Sequence, residues 1–549
     1  MVNLPRGPAD PRSLRFQVLA NAVDAALKAN DMPRAFAGAQ TAIDEGHAHP
    51  AFFNILSARE MGEGRYREAQ ALLRKGLALA PRDANLLNMS GVAHNNLKEY
   101  REAIRAFDAA ILANPRMPQA IYNRGLSYEG LGEINRARGD FERAVALNPN
   151  YPEALSRLAY AEAIRGQLEI ARGHAEKALR ANPRDQLSHI ALAMADNAQD
   201  KFAATIQRLS ALLPGLQPTQ INRAIALGLL GDACDGAGDA AKAFDAYTQS
   251  SELLRQLYAP AFASADALAQ ANMLHDYFAA APAGPWAADL AAPADPNVAG
   301  HVFLVGFPRS GTTLLEQTLA GHPNVVTSEE RDFLSGTVPL ATPADLDRLA
   351  AMSAQETTRA RDLYWKNARQ AGLKVKDKVF VDKLPLNALL LPVIAKLFPH
   401  AKILFALRDP RDVVFSCFRR KFEMSSQMYQ LVTLDGAARY YDVLMRASEI
   451  YRVKLGLDWR DVRHEDFVSD YEAQARAICA WLGLGWNADM IKVAERLGAR
   501  AVNTPSSLQI VRGVSTLGFA AWRRYESQMQ GVLDVLKPWV ERFGYGREG

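Results

Sequence analysis

The alternation of apolar, small and polar residues divides the chain into two regions with different predicted elements. In the first region, small residues and prolines recur every 34 residues, which predicts paired helices in a repeat. The period stops after about Tyr258. From His301, short and nearly continuous apolar runs alternate with helical stretches, which is typical of buried parallel strands and their crossover helices.

Several residue columns carry the 34-residue period at once. Small residues in these columns let paired helices approach closely, a large aromatic residue fills the space between them, and a proline starts the next unit. Chance does not produce this many matched columns at one spacing. The columns are Pro81, Pro115, Pro149 and Pro183; Gly91, Gly125 and Ala159; Ala69, Ala103, Ala137 and Ala171; Phe107 and Phe141; and Ala110, Ala144 and Ala178.

This pattern resembles the tetratricopeptide repeat, which implies two antiparallel helices per unit, stacked into a right-handed superhelix. The best units run from about Pro50 to Pro183, and degenerate units flank them, including Ala226 to Leu254, as expected of polar caps. The resemblance implies a concave surface that binds a peptide or a partner. The alternative is a scaffold that only buries its own surface or forms a dimer.

The second region is predicted to be an α/β domain with a doubly wound parallel sheet, whose ligands lie at the carboxyl ends of the strands. The strongest strand candidates are "HVFLVGF" and "KILFALRD", and weaker ones are "KVFVDK" and "DVRHEDF". The predicted organisation is a repeat solenoid over 12–260, an Ala/Pro/Gly-rich linker over 261–299 and the α/β domain over 300–549.

Composition narrows the class of protein. A net charge of +4 argues against a broad nucleic-acid surface. The three cysteines are far apart in sequence, which suggests neither a disulfide framework nor a zinc site. The longest apolar run, Asn387 to Phe398, is far shorter than a bilayer needs, and the N-terminal stretch does not read as a secretory signal. We therefore expect a cytoplasmic protein without a membrane anchor.

The segment "GFPRSGTT", Gly306 to Thr313, has nearly the spacing of an ATP-binding loop, but Thr312 stands where the lysine belongs. The backbone N–H groups that open the following helix favour an anion. The nearby cation, Arg309, suits a shorter group than a triphosphate. An ordinary strand-to-helix turn with a capping hydroxyl is the alternative. The predicted phosphate-binding residues are Arg309, Ser310, Gly311, Thr312 and Thr313.

A second motif, "LRDPRDVVFSCF", follows the strand candidate "KILFA". Arg408 lies at the strand end and Ser416 lies in the next helix, so a guanidinium and a hydroxyl can hold a separate phosphate. A nucleotide with both a 5′- and a 3′-phosphate fits two such sites. Alone, this motif is more often a helix cap and a salt bridge.

Together these motifs resemble the sulfotransferase family, which uses 3′-phosphoadenosine-5′-phosphosulfate (PAPS). The resemblance covers about Gly300 to Gly549. Within the family the chain is most similar to the tyrosylprotein sulfotransferase type, through "HPNVVTSEE", "VDKLPLN" and "RHEDFVSDYEAQARAICAWLGL". In the last segment His464 replaces the family's tyrosine.

The resemblance implies roles for individual residues. The second glutamate of "SEE", Glu330, would be the base, and strand alternation would leave its neighbour Glu329 facing away. Sulfuryl transfer needs no metal. His322 is expected to be structural. The remaining implied roles are charge stabilisation by Lys383 and Arg309, 3′-phosphate binding by Arg408, Ser416 and Arg512 of a C-terminal lid, and weaker contributions from Ser506 and Ser507.

One departure affects the acceptor. The tyrosylprotein enzymes have a basic residue two places after the catalytic glutamate, and here that place holds Asp332. Arg331 compensates only if the loop turns differently. A protein tyrosine, a peptide, a glycan and a small phenol all stay open as acceptors, and repeat domains often pair, so a homodimer is one expectation. The alternatives are a nucleotide kinase or NTPase on the same loop and a non-catalytic repeat adaptor.

Overall fold

Both predicted regions are present in the structure, a computed structural model that describes residues 11–546 except 218, 265, 291–294, 421 and 499–517. The chain forms two compact units, Met1–Ala195 and Asp196–Gly549. The first unit is helical, and the second combines helices with a parallel β-sheet. The predicted fold class, a helical repeat followed by an α/β domain, is confirmed.

The helices of the first unit follow the 34-residue period. Each period proline lies three residues before a helix begins, so that Pro81 precedes α5 and Pro115 precedes α7. The helices are α1 (Pro11–Lys28), α2 (Met32–Asp44), α3 (Pro50–Gly62), α4 (Tyr66–Leu79), α5 (Ala84–Asn96), α6 (Tyr100–Ala113), α7 (Pro118–Gly130), α8 (Ile134–Leu147), α9 (Pro152–Ile164), α10 (Leu168–Ala181) and α11 (Gln186–Ala198).

The recurring glycines are required by close packing against the recurring aromatic residues. A Cβ atom on Gly91 would lie 2.4 Å from the ring of Phe107, and one on Gly125 would lie 2.6 Å from the ring of Phe141. Both rings are buried. The pairing of a small residue with a large one, expected from the columns, is therefore a contact that joins the two helices in these two units.

The second unit begins with helices and continues as the α/β domain. Its strands are β1 (Gly300–Gly306), β2 (Val325–Thr327), β3 (Val379–Lys383), β4 (Lys402–Leu407) and β5 (Asp458–Arg463). Its helices are α12 (Phe202–Leu212), α13 (Ile221–Gly236), α14 (Ala240–Phe262), α15 (Ala267–Ala280), α16 (Thr312–Leu319), α17 (Pro343–Ala350), α18 (Ala354–Gln370), α19 (Leu391–Leu397), α20 (Pro410–Phe418), α21 (Ser426–Gln430), α22 (Leu434–Lys454), α23 (His464–Ser469), α24 (Tyr471–Leu482), α25 (Val493–Gly498) and α26 (Glu526–Arg542).

The sheet has the strand order β2-β3-β1-β4-β5, and every pairing is parallel. Leu304 of β1 is in register with Lys383 of β3, and Gly306 is in register with Ala406 of β4. The carboxyl ends of these strands therefore meet at one edge. The weak strand candidate "DVRHEDF" is only partly correct, because α23 begins at His464, where Glu465 and Asp466 suit a helix N-terminus.

The segment expected to be a linker, 261–299, contains helix α15. Leu274 and Phe278 of α15 and Trp286 beyond it are buried in the same core as the sheet. Its alanines also pack, since Ala267 and Ala271 are buried. The helix was not predicted because the segment is rich in alanine. Alanine is small enough to be buried at positions that show no clear apolar period in the sequence. The compact units accordingly divide at Ala195 and Asp196 rather than near 260.

Helix α13, in the degenerate repeat predicted over 226–254, supplies carboxylates to arginines of the α/β domain. Asp235 accepts hydrogen bonds from Tyr525 (2.6 Å) and Arg419 (3.0 Å) and pairs with Arg524 at 2.7 Å. Asp232 accepts from Arg420 at 3.1 Å. These contacts are largely buried, so α13 is a structural part of the second unit.

A chain of hydrogen bonds runs through the buried face of the sheet. The Tyr364 hydroxyl donates to Asp382 at 2.7 Å, and Nε2 of His301 lies 2.9 Å from that hydroxyl. All three side chains are buried. Burial raises the pKa of Asp382 to about 7, although the hydrogen bond from Tyr364 opposes the rise.

Within the described residues, we find no helix that combines the length and apolar character needed to cross a membrane.

We predict that Asp235→Ala destabilises the protein by about 3 kcal/mol, because it leaves a largely buried guanidinium group without a carboxylate. The midpoint of thermal unfolding should fall by several degrees. Asp245→Ala on the exposed face of α14 is the matched control and should leave the midpoint nearly unchanged. Equal midpoints for the two variants would contradict the structural role of α13.

The pKa of Asp382 predicts a pH-dependent stability. Its folded value of about 7 lies above the unfolded value of about 3.9, so its stabilising contribution is complete below about pH 4 and is lost as the pH rises through 7. Asp382→Asn should remove this dependence, which amounts to about 2.6 kcal/mol between pH 5 and pH 8. Urea unfolding from pH 5 to pH 8 measures it. The control is Asp362→Asn, an exposed site on α18 that should keep the wild-type slope.

Candidate active site

The turn between β1 and α16 is shaped by residues with positive φ. Gly306 (φ +145°), Arg309 (φ +73°) and Gly311 (φ +91°) all lie there. A Cβ atom on Gly306 would lie 2.6 Å from the carbonyl oxygen of Ala406, and one on Gly311 would lie 2.4 Å from Nδ1 of His464. Both glycines are therefore needed for the close approach that makes the turn a narrow cradle.

The other predicted loop residues line the start of α16. Ser310, Thr312 and Thr313 are all buried, and α16 begins at Thr312. The first N–H groups of a helix have no partner within it and carry partial positive charge, so they favour an anion. The loop predicted from "PRSGTT" is therefore present as a compact strand-turn-helix element.

Arg309 lies in a cluster of positive charge. Its Nε donates to Oγ of Ser416 at 3.1 Å. Burial, with the positive charges of Arg420 and Arg408, lowers the pKa of Arg309 to about 9. Arg419 acts in the same direction. Ser416, expected at the 3′-phosphate, thus contacts Arg309 of the loop that is predicted to hold the 5′-phosphate.

Arg408 connects the two predicted phosphate segments. Its Nη1 donates to the carbonyl oxygen of Arg309 at 3.3 Å, and its Nη2 donates to that of Gly518 at 2.6 Å. Its Nε is buried and has no hydrogen-bond partner among the described residues. His464 lies beside this pair, where burial and the charges of Arg408 and Arg309 lower its pKa to about 3. The ring is therefore neutral near pH 7.

Lys383 lies between two carboxylates at the end of β3. Its Nζ is 2.6 Å from Oε1 of Glu330 and 3.0 Å from Oε2 of Glu316. The side chains of Lys383 and Glu316 are 1% and 2% exposed, whereas that of Glu330 is 42% exposed. The predicted base and the predicted lysine are thus in direct contact, and the base is open to solvent.

The two glutamates of "SEE" are distinguished by a turn rather than by strand alternation. Strand β2 ends at Thr327, and Glu329 (φ +53°) and Glu330 (φ +64°) both have left-handed backbones. Glu329 uses its backbone N–H, which donates to Oε1 of Glu316 at 2.8 Å. Glu330 uses its carboxylate, which contacts Lys383. Strand alternation was expected to turn Glu329 away from the site. That reason was wrong, because β2 is too short to include either glutamate.

The residues after Glu330 make local contacts. Arg331 donates from Nη1 to the carbonyl oxygen of Ala371 at 2.5 Å. Asp332 accepts the N–H of Ser335 at 2.8 Å. The guanidinium of Arg331 is therefore engaged with the end of α18, and Asp332 caps a turn.

His322 has the structural contacts that were expected of it. Its Nε2 lies 3.0 Å from the carbonyl oxygen of Gly485, and its Nδ1 accepts the N–H of Asn324 at 3.1 Å. The predicted lid residues Arg512, Ser506 and Ser507 lie outside the described residues.

Glu316, Arg419 and Arg420 are residues of this site that the sequence analysis missed. A signal for Glu316 exists, because it is a lone carboxylate in the helix "TTLLEQTL", four residues after Thr312 and hence on the same face. Arg419 and Arg420 follow α20 directly, but their contacts with α13 span more than 180 residues, which no local pattern reveals.

Comparison with known proteins finds two matching families. Residues 301–488 match the model of the sulfotransferase family, and segments 59–121, 96–152 and 122–186 match that of the tetratricopeptide repeat. Protein-tyrosine sulfotransferase 1 of Danio rerio is 26% identical over 269 residues, which cover 44% of this chain and 72% of that protein. Protein-tyrosine sulfotransferase A of Caenorhabditis elegans is 25% identical over 273 residues, covering 44% and 67%.

An uncharacterized protein of Aquifex aeolicus is 25% identical over 255 residues, which cover 43% of this chain and 32% of that protein, so the chain spans about a third of this relative. The matches fall on both predicted regions, and the predicted recognition is confirmed. The chain joins tetratricopeptide repeats to a domain of the sulfotransferase family.

Proposed function

We propose that the protein transfers the sulfuryl group of PAPS to an acceptor hydroxyl. One observation carries this proposal: Arg309, Lys383 and Arg408 follow or end three neighbouring parallel strands and so lie at one edge of the sheet, where Glu330 contacts Lys383. A cationic site for phosphates thus adjoins a solvent-open carboxylate. The matches to sulfotransferases support the same reaction.

The residues present suit the nucleotide. The loop from Arg309 to Thr313 offers backbone N–H groups and hydroxyls to a 5′-phosphate. Arg408, whose buried Nε has no partner among the described residues, is suited to a 3′-phosphate, with Ser416 and Arg512 as the other predicted donors. The two glycines shape a cradle that a Cβ atom would fill. When bound, PAPS supplies the sulfuryl group on its 5′-phosphate.

The roles proposed for the protein's residues follow from their chemistry. Glu330 accepts the proton of the acceptor hydroxyl, and its 42% exposure leaves it accessible. Lys383 and Arg309 hold positive charge where negative charge develops on the leaving phosphate oxygen. Because Lys383 is buried and both groups are held by neighbouring side chains, they need little reorganisation during the reaction.

The acceptor class is proposed from the relatives and the local sequence. The relatives' names specify a protein tyrosine, so a tyrosine phenol is the first acceptor to test, before a glycan or a small phenol. Asp332 adds negative charge beside Glu330, and Arg331 is engaged with Ala371, so the site offers little attraction to acidic flanks around that tyrosine.

The remaining proposals concern partners and conditions. The repeat region is proposed to bind the acceptor or a partner protein on its concave surface. Of the residues described, no group of His, Cys, Asp and Glu is arranged to hold a metal ion, and a metal-free reaction stays a prediction. The homodimer, the cytoplasmic location and the absence of nucleic-acid and membrane partners also stay predictions.

We predict that Glu330→Gln lowers kcat by about 100-fold or more, because the amide cannot accept the acceptor's proton. The assay measures the formation of adenosine 3′,5′-bisphosphate from PAPS with a tyrosine peptide or a simple phenol. Nucleotide-induced thermal stabilisation should persist in the variant.

The matched control is Glu329→Gln, which changes the adjacent exposed side chain and should alter kcat by no more than about twofold. Loss of activity in Glu329→Gln, with Glu330→Gln active, would reverse the assignment of the base.

We predict that adenosine 3′,5′-bisphosphate at about 100 times its Kd stabilises the protein by nearly 3 kcal/mol. AMP at the same concentration should stabilise the protein less, because it lacks the 3′-phosphate. Arg408→Met should reduce the difference between the two nucleotides, because Arg408 is proposed to contact the 3′-phosphate. If ATP with magnesium stabilised the protein and adenosine 3′,5′-bisphosphate did not, the result would instead support a nucleotide kinase or NTPase. Thermal unfolding with each ligand makes the comparison.

A further inference from the structure

Glu316 is a buried carboxylate for which the sequence analysis found no role. It lies in α16, the helix that follows the phosphate loop, and only 2% of its side chain is exposed. Both of its oxygens are used: Oε2 lies 3.0 Å from Nζ of Lys383, and Oε1 accepts the backbone N–H of Glu329 at 2.8 Å. Glu316 therefore contacts both the lysine and the turn that carries the proposed base.

We propose that Glu316 is a positioning residue that holds Lys383 and the Glu330 turn in place against the phosphate-loop helix and keeps Lys383 charged throughout the reaction. This proposal rests on the proposed function, because only the proposed reaction requires Lys383 and Glu330 to be held in place.

The first argument concerns charge. A buried ammonium group is costly unless a counter-charge accompanies it. Lys383 has two carboxylate partners, and Glu330 loses its negative charge when it accepts the proton of the acceptor. Glu316 is then the remaining carboxylate of the pair. Burial raises the pKa of Glu316 and the ammonium of Lys383 opposes that rise, which is the balance expected of a buried ion pair.

The second argument concerns geometry. Two consecutive non-glycine residues, Glu329 and Glu330, have positive φ, and such backbones persist only where neighbouring contacts determine them. The turn is held by Glu316 through the N–H of Glu329 and by β3 through the N–H of Glu330, which donates to the carbonyl oxygen of Lys383 at 3.1 Å. Removing Glu316 loosens the first of these attachments.

The test compares Glu316→Gln with Glu316→Asp. The glutamine variant keeps an oxygen that can accept the N–H of Glu329 but removes the charge beside Lys383. We expect kcat to fall by about 10- to 100-fold, with the KM for PAPS nearly unchanged. The alkaline limb of the kcat profile should move to lower pH, because the ammonium group has lost its buried counter-charge. Glu316→Asp keeps the charge and should keep the wild-type pH profile.

Gln317→Ala, at the next position of α16, is the matched control for changes to the helix. Thermal stabilisation by adenosine 3′,5′-bisphosphate should persist in all three variants. Wild-type kcat and pH dependence in Glu316→Gln would overturn the proposal. So would a loss of nucleotide stabilisation, because Glu316 would then act on the phosphate loop instead. If Glu316→Gln does not fold, an altered pH profile in Glu316→Asp would count against the proposal.

A separate readout distinguishes this proposal from the proposed function. Amide hydrogen exchange of the Glu329 N–H should become faster in Glu316→Ala than in Glu316→Gln, whatever reaction the protein performs. A wild type that forms no sulfated product overturns the proposed function. Equal exchange rates in the two variants overturn the positioning role of Glu316 even in an active enzyme.

Discussion

Parallel pairing of β1 between β3 and β4 is the constraint on which the site depends. Neighbouring parallel strands end at the same edge of a sheet. The backbone pairing alone therefore brings together the residues that follow these strands. The register sets Leu304 beside Lys383 and Gly306 beside Ala406. Gly306 permits the close approach to β4, and the loop after β1, Lys383 and Arg408 then lie at one edge of the sheet.

The charged side chains at this edge of the sheet fall into two groups. On the β4 side, Arg309 and Arg408 lie near Arg419 and Arg420, and the last two are paired with carboxylates of α13. On the β3 side, Lys383 is matched by Glu316 and Glu330. In the proposed function, the first side binds the nucleotide and the carboxylate of Glu330 on the second side accepts the proton.

The helices that follow the regular repeats contribute to this charge balance. Asp232 and Asp235 of α13 pair with Arg420 and Arg419, which flank the arginine of the phosphate loop. A repeat-like helix pair is therefore a structural part of the α/β domain. Its small-on-large packing is preserved, because a Cβ atom on Gly231 would lie 2.5 Å from the ring of Tyr247. The boundary between the two compact units is accordingly set by which helices pack together, and it does not coincide with the end of the sequence period.

Local patterns were enough to predict the repeat, the central strands and the strand-turn-helix element after β1. Periodicity, continuous apolar runs and glycine spacing report on contacts within a few residues or within one repeat. They also predicted that Glu330 and Lys383 are functional, although through resemblance rather than geometry. The helix α15 was missed because its alanines bury without an apolar period. The turn at Glu329 and Glu330, the contact of Ser416 with Arg309, the role of α13 and the position of Glu316 against Lys383 were decided by tertiary structure. Each of these depends on side chains brought together across tens or hundreds of residues, and the burial that sets their charges exists only once the chain has folded.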